Sequence, residues 1–388
     1  MNLSIPLRSE YVLTLILCCL LHTLIFFFPV PVYYIPDLAL ILYLLYKFRD
    51  LNQALSPIFF IGLILLLGYY FLSPEPPETE FKNNYLVSLK PFFYLCVLAA
   101  YLKNVPQIDL KKWFRIILWI YPLILLWNLF LVHLDENANL QHLMTRRPYF
   151  IFENNFEITF YLNCFATLFF IYGQRKIIDF ILVVLVIILA GSRSGLLAFL
   201  ALGVFYFFSV GWRQKIIATL LGVGAVFYIG KGRNISAPLN SIDRVQSLQA
   251  LLGHYNNSFW EILKDPLGAG IYQKFPGYLC SRIPDFAEWF TGNSHNCDPL
   301  MLQAFYTRAL FQFGIYITVL IPILFFYLIK KEINAKLALI ILTPMACVAT
   351  SVGGFSNGLA FWGVLLSVYA YQQYQNPNLL LHASSGKR

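Results

Sequence analysis

The chain has 388 residues, of which 59% are hydrophobic and only 12% charged, and its formal net charge is +9. A mean hydropathy of +0.65 excludes a soluble protein of two or three ordinary domains, which the length alone would suggest. Most of the positive charge lies on one side of the predicted membrane spans, as membrane topology requires. The net charge is therefore not evidence for a nucleic-acid partner.

Twelve mostly apolar runs recur along the chain, and most are long enough to cross a bilayer as a helix. They predict an all-α polytopic integral membrane protein with about 12 transmembrane helices. The first run lacks a small-residue cleavage site, so we interpret it as a retained helix rather than a signal peptide. The predicted spans are 11–29, 31–46, 56–72, 86–102, 113–132, 156–172, 177–191, 195–210, 216–230, 310–329, 337–352 and 358–374.

Lysine and arginine are distributed unequally between the two sides that these spans define. Of 28 such residues, 16 fall on the side that carries both termini, and the short loops of the other side carry five, Lys82, Lys90, Arg146, Arg147 and Arg193. Cytoplasmic loops attract lysine and arginine, so both termini are predicted to be cytoplasmic. We interpret residues 1–388 as one transmembrane domain, with 231–309 as a large outer loop between spans nine and ten.

The seven cysteines divide into two groups. Five lie in predicted spans, where they are expected to pack as small apolar residues. Cys280 and Cys297 share the outer loop and could form a disulfide in an oxidising compartment, although the sequence equally allows two free thiols.

The outer segment before the sixth span ends in RRPYFIFENNFE, residues 146–157. Arg146, Arg147 and Asn155 are candidate substrate-binding residues there, because amides and cations crowd the mouth of a span. Anchoring of arginines at the membrane interface is the alternative interpretation.

The large outer loop contains one clear periodic stretch. Apolar residues at steps of three and four predict an amphipathic helix from Ser241 to Lys264, stopped by Pro266 and Gly268. Arg244 and His254 fall on a stripe turned away from much of the apolar face, which makes them candidate site residues or simply the solvated side of an interfacial helix.

Arg193 lies in ILAGSRSGLLAFLALG, between two apolar runs. A guanidinium near the bilayer is costly, by about 3 kcal/mol or more, so it usually faces a polar cavity or an anionic partner. Its planar donors suit phosphate oxygens, and the flanking serines and glycines leave room for a ligand. A snorkelling interfacial arginine is the competing interpretation.

The segment TGNSHNCDPL, residues 291–300, supplies a histidine able to change protonation near neutral pH, which makes His295 a candidate general base. Its spacing matches no standard zinc or calcium site, and the chain has neither a phosphate-binding Gly-rich loop ending in Lys and Ser or Thr nor a lipase-type nucleophile elbow. No metal and no cofactor are therefore expected.

Four motifs together resemble the O-antigen polymerase and O-antigen ligase superfamily of bacterial envelope glycosyltransferases. They are RRPYFIFENNFE, GSRSGLLA, DRVQSLQALLGHYNNSFWEILKDPLGAGI and SHNCDPLMLQAF. The resemblance covers about residues 145–330 and implies a GT-C-like enzyme of the inner membrane. The enzyme would act at the periplasmic face on an undecaprenyl-pyrophosphate-linked oligosaccharide, without metal or nucleotide sugar.

The resemblance also implies residue roles and partners. Arg193 and Arg244 would neutralise the pyrophosphate, His295 would deprotonate the acceptor hydroxyl, and Asn296 would help to position the reacting groups. The product would have an inverted anomeric centre. The lipid bilayer, and a chain-length regulator and flippase of the same pathway, would be the partners. We expect His295 and Arg193 to face one cavity.

Polymerase and ligase share these motifs. A ligase often has a second histidine two residues before the His-Asn pair, where this chain has Asn293, so a polymerase is favoured. The alternatives are a ligase that transfers the glycan onto lipid A core, and a transporter of lipid-linked glycan. A transporter would need polar residues along its spans, of which Asp37, Asn128, Asn163 and Asp179 are the sparse candidates. A purely structural or assembly protein is a further alternative.

Overall fold

The computed structural model describes residues 9–27, 35–46, 57–72, 82–102, 105–106, 108–134, 150, 154–232, 243–271, 302, 304–350 and 353–377. The secondary structure in these ranges consists of α-helices with one short π-helical and one short 3₁₀ segment, and these ranges contain no β-strand. The all-α prediction is therefore confirmed for the described part of the chain.

Fourteen α-helices fall in these ranges, and we number them in chain order. Their bounds are α1 Ser9–Phe27, α2 Ile35–Tyr46, α3 Pro57–Leu72, α4 Lys82–Tyr101, α5 Leu110–Leu134, α6 Asn154–Ala166, α7 Ile177–Ala190, α8 Arg193–Ser209, α9 Trp212–Gly232, α10 Asp243–His254, α11 Phe259–Lys264, α12 Phe305–Glu332, α13 Ala335–Ala349 and α14 Gly358–Gln375. Each of the twelve apolar runs coincides with one helix, and α10 and α11 lie in the large loop.

The helix bounds follow from local signals as well as from apolar length. Gly191 ends α7 in the left-handed conformation, at φ 57°. The next residue, Ser192, caps α8 by accepting a hydrogen bond from the N–H of Gly195. Asn334 and Asn357 cap α13 and α14 in the same way, each accepting from backbone N–H groups of the first turn.

Helix α6 lies at the centre of the bundle and packs against α5, α7, α8, α13 and α14. A π-turn, Thr167–Ile171, continues it. Helices α6 and α14 run parallel, with Asn163 against Gly363 and the Thr167 hydroxyl donating to Ser367 Oγ at 2.8 Å. A Cβ on Gly363 would lie 2.8 Å from Asn163 Nδ2, so glycine is what permits this close approach.

The bundle has two polar ends. We call the end at which α6, α8, α12 and α14 begin the upper end, and the opposite end the lower end. At the lower end the Arg115 guanidinium lies 3.7 Å from the Asp179 carboxylate, and Gln372 donates to Glu332 at 3.0 Å. Arg115 is one of the 16 lysines and arginines that the sequence assigns to the cytoplasmic side, so that assignment corresponds to the lower end.

Large apolar side chains are exposed around the outside of the bundle. Leu24 is 58% exposed, Phe71 72% and Leu220 67%, and many others on α1, α2, α3, α8 and α9 are exposed. Two helical segments, Leu110–Val132 and Phe305–Glu332, are long and apolar enough to span a membrane, and eight shorter apolar helices accompany them in the described ranges. An apolar surface of this extent marks contact with lipid or other partners rather than with water.

The predicted loop helix from Ser241 to Lys264 is interrupted. Asn256 and Asn257 both have positive φ, 53° and 54°, and separate α10 from α11. Asparagine tolerates this conformation better than most residues, but periodicity carries no sign of it. Of the predicted apolar face, Tyr255 and Ile262 are buried against α12, whereas Leu248 is 43% exposed.

Candidate functional site

The site begins with the turn that joins α7 to α8 at the upper end. Arg193 is the first residue of α8 and is half-buried, between the buried side chains of Ser192 and Ser194. Their hydroxyl oxygens lie 3.3 Å apart. The sequence prediction that Arg193 lies between two apolar runs is confirmed, because the helices α7 and α8 flank the turn. The cap at Ser192 fixes where the side chain of Arg193 begins.

Gly195 brings this turn against the start of α6. A Cβ at that position would lie 2.9 Å from Cγ2 of Ile158 and 3.2 Å from Oγ of Ser192. Any larger residue at 195 would therefore push the two helices apart. Ile158 directly follows the motif RRPYFIFENNFE, so this contact places the end of that motif next to GSRSGLLA.

Glu157 is a buried carboxylate that accepts two hydrogen bonds. The Tyr121 hydroxyl donates to its Oε2 at 2.9 Å, and the backbone N–H of Phe150 donates to the same oxygen at 2.8 Å. A buried carboxylate with such donors is strongly oriented. Glu157 therefore fixes the backbone of Phe150, which belongs to the same RRPYFIFENNFE motif.

His22 of α1 binds the carbonyl group of the same residue, Phe150. Its Nδ1 donates to the Phe150 carbonyl, and its Nε2 accepts from the Asn128 amide at 2.7 Å. His22 and Asn128 are both buried. The N–H and C=O of Phe150 are thus both bonded to side chains of other helices, an arrangement that we call the Phe150 tether.

Replacing Glu157 by leucine is expected to destabilise the protein by about 2 to 6 kcal/mol, because two buried donors would each lose an acceptor. Thermal denaturation of the purified protein measures this effect. Glu157→Gln keeps an acceptor oxygen and should be milder. Adding Tyr121→Phe to Glu157→Leu should recover part of the loss, and no recovery would show that the Tyr121 bond contributes little.

His254 ends α10 and packs against α12. Its ring centroid lies 5.4 Å from that of Phe311 and 4.9 Å from that of Tyr255. Burial lowers the pKa of His254, and the nearby Asp265 carboxylate opposes that change. The lowered pKa favours the uncharged imidazole at neutral pH. The two ring contacts show that one side of His254 packs against aromatic residues, so the side chain is half-buried.

The segment that follows α11 docks into a break in α12. Gly314 has φ 72° and ψ 174° inside α12, and this break frees carbonyls that accept from the N–H groups of Ala269 at 2.8 Å and Gly270 at 3.0 Å. Gly268 has φ 68°, and a Cβ there would lie 2.4 Å from the Gly314 nitrogen. The third motif, which ends in DPLGAGI, is therefore fixed to α12 at the upper end.

Arg308, which the sequence interpretation left inside the loop, is a buried cation in the first turns of α12. Its guanidinium donates to Oγ of Ser356 at 2.8 Å, in the turn between α13 and α14. The sequence feature that could have indicated a buried cation is the single arginine of FYTRALFQF, which lies within an apolar stretch. A cation buried here is expensive and adds positive potential to the upper end.

The polar residues considered for a transporter pathway are engaged between helices. Asp37 binds Lys90 at 2.5 Å and accepts from the Tyr94 hydroxyl, next to the start of α14. Lys90 is therefore inside α4 and paired, and counting it as an outer-loop charge was wrong. Asn128 bonds His22, Asp179 lies near Arg115, and Asn163 packs on Gly363. The buried polar atoms of Asn163 and Asp179 have no hydrogen-bond partner within the described residues.

Several candidate residues lie outside the described residues, namely His295, Asn296, Arg146, Arg147, Cys280 and Cys297. The backbones of Arg244 and Asn155 lie in the first turns of α10 and α6, and their side chains are outside the described part. The shared cavity of His295 and Arg193 and the Cys280–Cys297 disulfide stay predictions. The five span cysteines are free and buried or half-buried.

The described part is thus an all-α bundle with a polar upper end, in which no group of three or more His, Cys, Asp or Glu side chains could hold a metal ion. No protein-family model, curated protein or solved structure matches the chain.

Proposed function

We propose that this protein is a membrane-embedded glycosyltransferase, an O-antigen polymerase of the bacterial inner membrane. It would transfer an undecaprenyl-pyrophosphate-linked glycan onto another lipid-linked repeat unit at the periplasmic face. The belt of exposed apolar side chains on the helix bundle supports the membrane setting. The upper end would face the periplasm and the lower end, where Arg115 lies, the cytoplasm.

The observation that carries this proposal is that three sequence motifs make their helix contacts toward the same end of the bundle, in two separate places. Ile158, the residue directly after RRPYFIFENNFE, contacts Gly195 of GSRSGLLA. DPLGAGI, the end of the third motif, docks on the break at Gly314 of the helix that begins at the same end. Motifs far apart in sequence are expected to converge in a catalytic site, whereas mere membrane spans need no such convergence.

The proposed reaction is a single displacement at the anomeric carbon. The acceptor hydroxyl oxygen attacks that carbon from the far side, and the bond to the diphosphate oxygen breaks, so the leaving group keeps the bonding electrons. His295 takes the hydroxyl proton as general base. Arg193 and Arg244 stabilise the charge that develops on the diphosphate, a role that soluble transferases often give to a divalent cation.

The engagement of polar span residues favours a transferase over a transporter. Asp37, Asn128 and Asp179 contact partners on neighbouring helices, and Asn163 fills the space that Gly363 leaves. A substrate pathway through the bundle would need such groups to face a polar cavity. The contacts of Asp37 and Asn128 instead support helix association, whereas the Asn163 amide and the Asp179 carboxylate make no hydrogen bond within the described residues.

The lipopolysaccharide ladder of a strain that lacks this protein tests the proposal directly. Single repeat units on the core, with no longer bands, are the result expected for a polymerase. Loss of all O-antigen from the core, with polymer accumulating on the carrier lipid, would instead identify a ligase. An unchanged ladder would contradict both transferase assignments.

Replacing His295 by alanine is expected to abolish glycan transfer while the protein still accumulates in the membrane, because the acceptor proton would lose its base. Removing a general base typically costs about 10² to 10⁴-fold in rate. Complementation of the deletion strain, with immunoblotting for protein level, measures both quantities. Retention of long-chain polymer at normal protein levels would rule out His295 as the base.

A further inference from the structure

Three cations lie beside the turn between α8 and α9 at the lower end of the bundle. Lys215 Nζ lies 4.9 Å from the ring centroid of Phe207, in the last turn of α8. Arg213 is exposed in the first turn of α9, and Arg175 is exposed just before α7. The Gln214 side chain donates to the Arg175 carbonyl at 3.5 Å, so the two turns that carry these cations are joined.

The charge of these three residues is not balanced within the described part of the chain. No carboxylate there forms an ion pair with Arg175, Arg213 or Lys215. Asp179, the acidic residue closest to Arg175 in sequence, is buried on α7 and lies 3.7 Å from Arg115 of α5. The three cations are therefore available to an anionic partner outside the protein.

An apolar groove of about 700 Å³ ends beside these cations, on the outside of the bundle between α7, α8 and α9. Phe207 and Phe208 line its lower mouth and are 40% and 78% exposed, so the groove opens sideways. Because Lys215 lies against Phe207, a cation stands directly at this mouth.

The groove has the depth of a single lipid leaflet. Its lining on α8 runs from Phe199 to Phe208, which at 1.5 Å per residue is about 14 Å. Half of the hydrocarbon core of a bilayer is about 15 Å thick. The lining stops six residues short of Arg193 at the upper end, so the groove lies in the lower leaflet. In the proposed orientation this is the cytoplasmic leaflet.

Small residues keep the groove open. Gly203 of α8 and Gly222 of α9 line it, and a Cβ added at either position would meet nothing within 4 Å. Glycines that bring helices together behave differently, since a Cβ on Gly195 would lie 2.9 Å from Cγ2 of Ile158. The space beside Gly203 and Gly222 is therefore available to an acyl chain.

We propose that the lower end binds one anionic phospholipid of the cytoplasmic leaflet. Its phosphate lies among Arg175, Arg213 and Lys215, and one acyl chain lies in the groove. Basic clusters at the cytoplasmic ends of membrane helices attract anionic lipid heads, and guanidinium groups offer paired donors to phosphate oxygens. The leaflet-long apolar groove fits the chain of the same molecule. The site depends on the proposed membrane orientation and not on glycan transfer.

Photolabelling of the full-length protein in nanodiscs tests the choice of head group. The probe is phosphatidylglycerol with a photoreactive acyl chain, and phosphatidylcholine with the same chains, which has no net charge, is the comparison. We expect phosphatidylglycerol to label the groove segment, residues 199–226, about tenfold more strongly, because the cations favour an anionic head. Equal labelling of this segment by both lipids would identify a general acyl-chain site and overturn the proposal.

Removing two cations separates this site from the general attraction of membranes for positive charge. Arg213→Gln with Lys215→Gln should lower labelling by phosphatidylglycerol about tenfold and leave labelling by phosphatidylcholine unchanged. The matched control, Lys330→Gln with Lys331→Gln, removes the same charge from the last turn of α12, a helix that does not line the groove. Unchanged labelling in the first variant, or an equal loss in the control, would contradict the proposal.

Filling the groove tests the place of the chain. Gly222→Leu puts a side chain into the open space and should weaken labelling by both lipids about tenfold, since burial of about two chain carbons would be lost. Gly224→Leu on the same helix is the control, because an added Cβ there also meets nothing within 4 Å and Gly224 does not line the groove. Unchanged labelling in Gly222→Leu, or an equal loss in Gly224→Leu, would overturn the assignment of the chain. Complete displacement of the probe by an isoprenoid lipid at equal mole fraction would assign the groove to that lipid instead.

Lipid binding and glycan transfer fail independently, so the two proposals can be told apart. Labelling requires no glycan donor or acceptor. A protein that transfers no glycan but shows the expected labelling keeps the phospholipid site and loses the transferase proposal. A protein that makes polymer in cells but shows no preference for phosphatidylglycerol loses the phospholipid site alone.

Discussion

Replacing Arg193 by lysine is expected to lower glycan transfer by about 100-fold, although the positive charge is kept. Lysine is a flexible point charge and cannot present the planar pair of donors that a guanidinium offers to two phosphate oxygens. The turn that holds residue 193 is rigid, because Ser192 caps α8 and Gly195 packs on Ile158. A lysine there could not shift its backbone to compensate.

Complementation of a deletion strain with Arg193→Lys measures this loss as the disappearance of long-chain polymer. Arg213→Lys is the matched control, because Arg213 is an exposed arginine in the first turn of α9 at the lower end. It should leave polymer length unchanged. Near wild-type polymer in Arg193→Lys would mean that a charge alone suffices at this position, as for an arginine that only anchors the membrane interface.

Replacing Gly268 by alanine is expected to destabilise the docking of the outer loop by about 2 to 5 kcal/mol. Two costs combine: a left-handed φ of 68° that alanine adopts poorly, and a Cβ 2.4 Å from the Gly314 nitrogen. The contact is backbone against backbone, so no side chain can rotate to relieve it. The segment would leave the α12 break and lose its hydrogen bonds from Ala269 and Gly270.

Gly173→Ala separates these two costs. Gly173 also has a positive φ, 63°, but nothing lies within 4 Å of an added Cβ, so only the conformational cost of about 1 to 2 kcal/mol remains. Thermal denaturation of both variants in detergent, with polymer length in cells, measures stability and activity together. Equal effects of the two substitutions would contradict the steric argument for Gly268.

The helix positions follow from sequence because apolar length decides them. Each predicted span coincides with an observed helix, and Arg193 lies between two of these helices, as the apolar runs predicted. The division of the loop helix at Asn256 and Asn257 was missed, since consecutive left-handed residues leave the spacing of apolar residues unchanged. The spacing of apolar residues indicates which face of a helix is buried, but it does not indicate where the helix is interrupted.

The contacts that shape the candidate site could not be read from the chain, because they join distant segments. Gly268 and Gly314 depend on each other, yet each alone looks like an ordinary glycine near a helix. Arg308 was not recognised as a buried cation because the sequence placed it in the loop. Its partner Ser356 is distant in sequence and lies in the turn between α13 and α14. Glu157 was noticed as part of a polar motif, but its bond to the Phe150 backbone required the folded chain.

The Phe150 tether also constrains the order in which the chain can be assembled. His22 and Phe150 are separated by 128 residues, so four further helices are synthesised after α1 before its imidazole can meet its acceptor. Proteolytic removal of α1 would leave the Phe150 carbonyl without that donor and Asn128 without its imidazole acceptor. The first helix therefore makes this contact late in synthesis. The Phe150 tether is complete only after α6, which carries Glu157, has been synthesised.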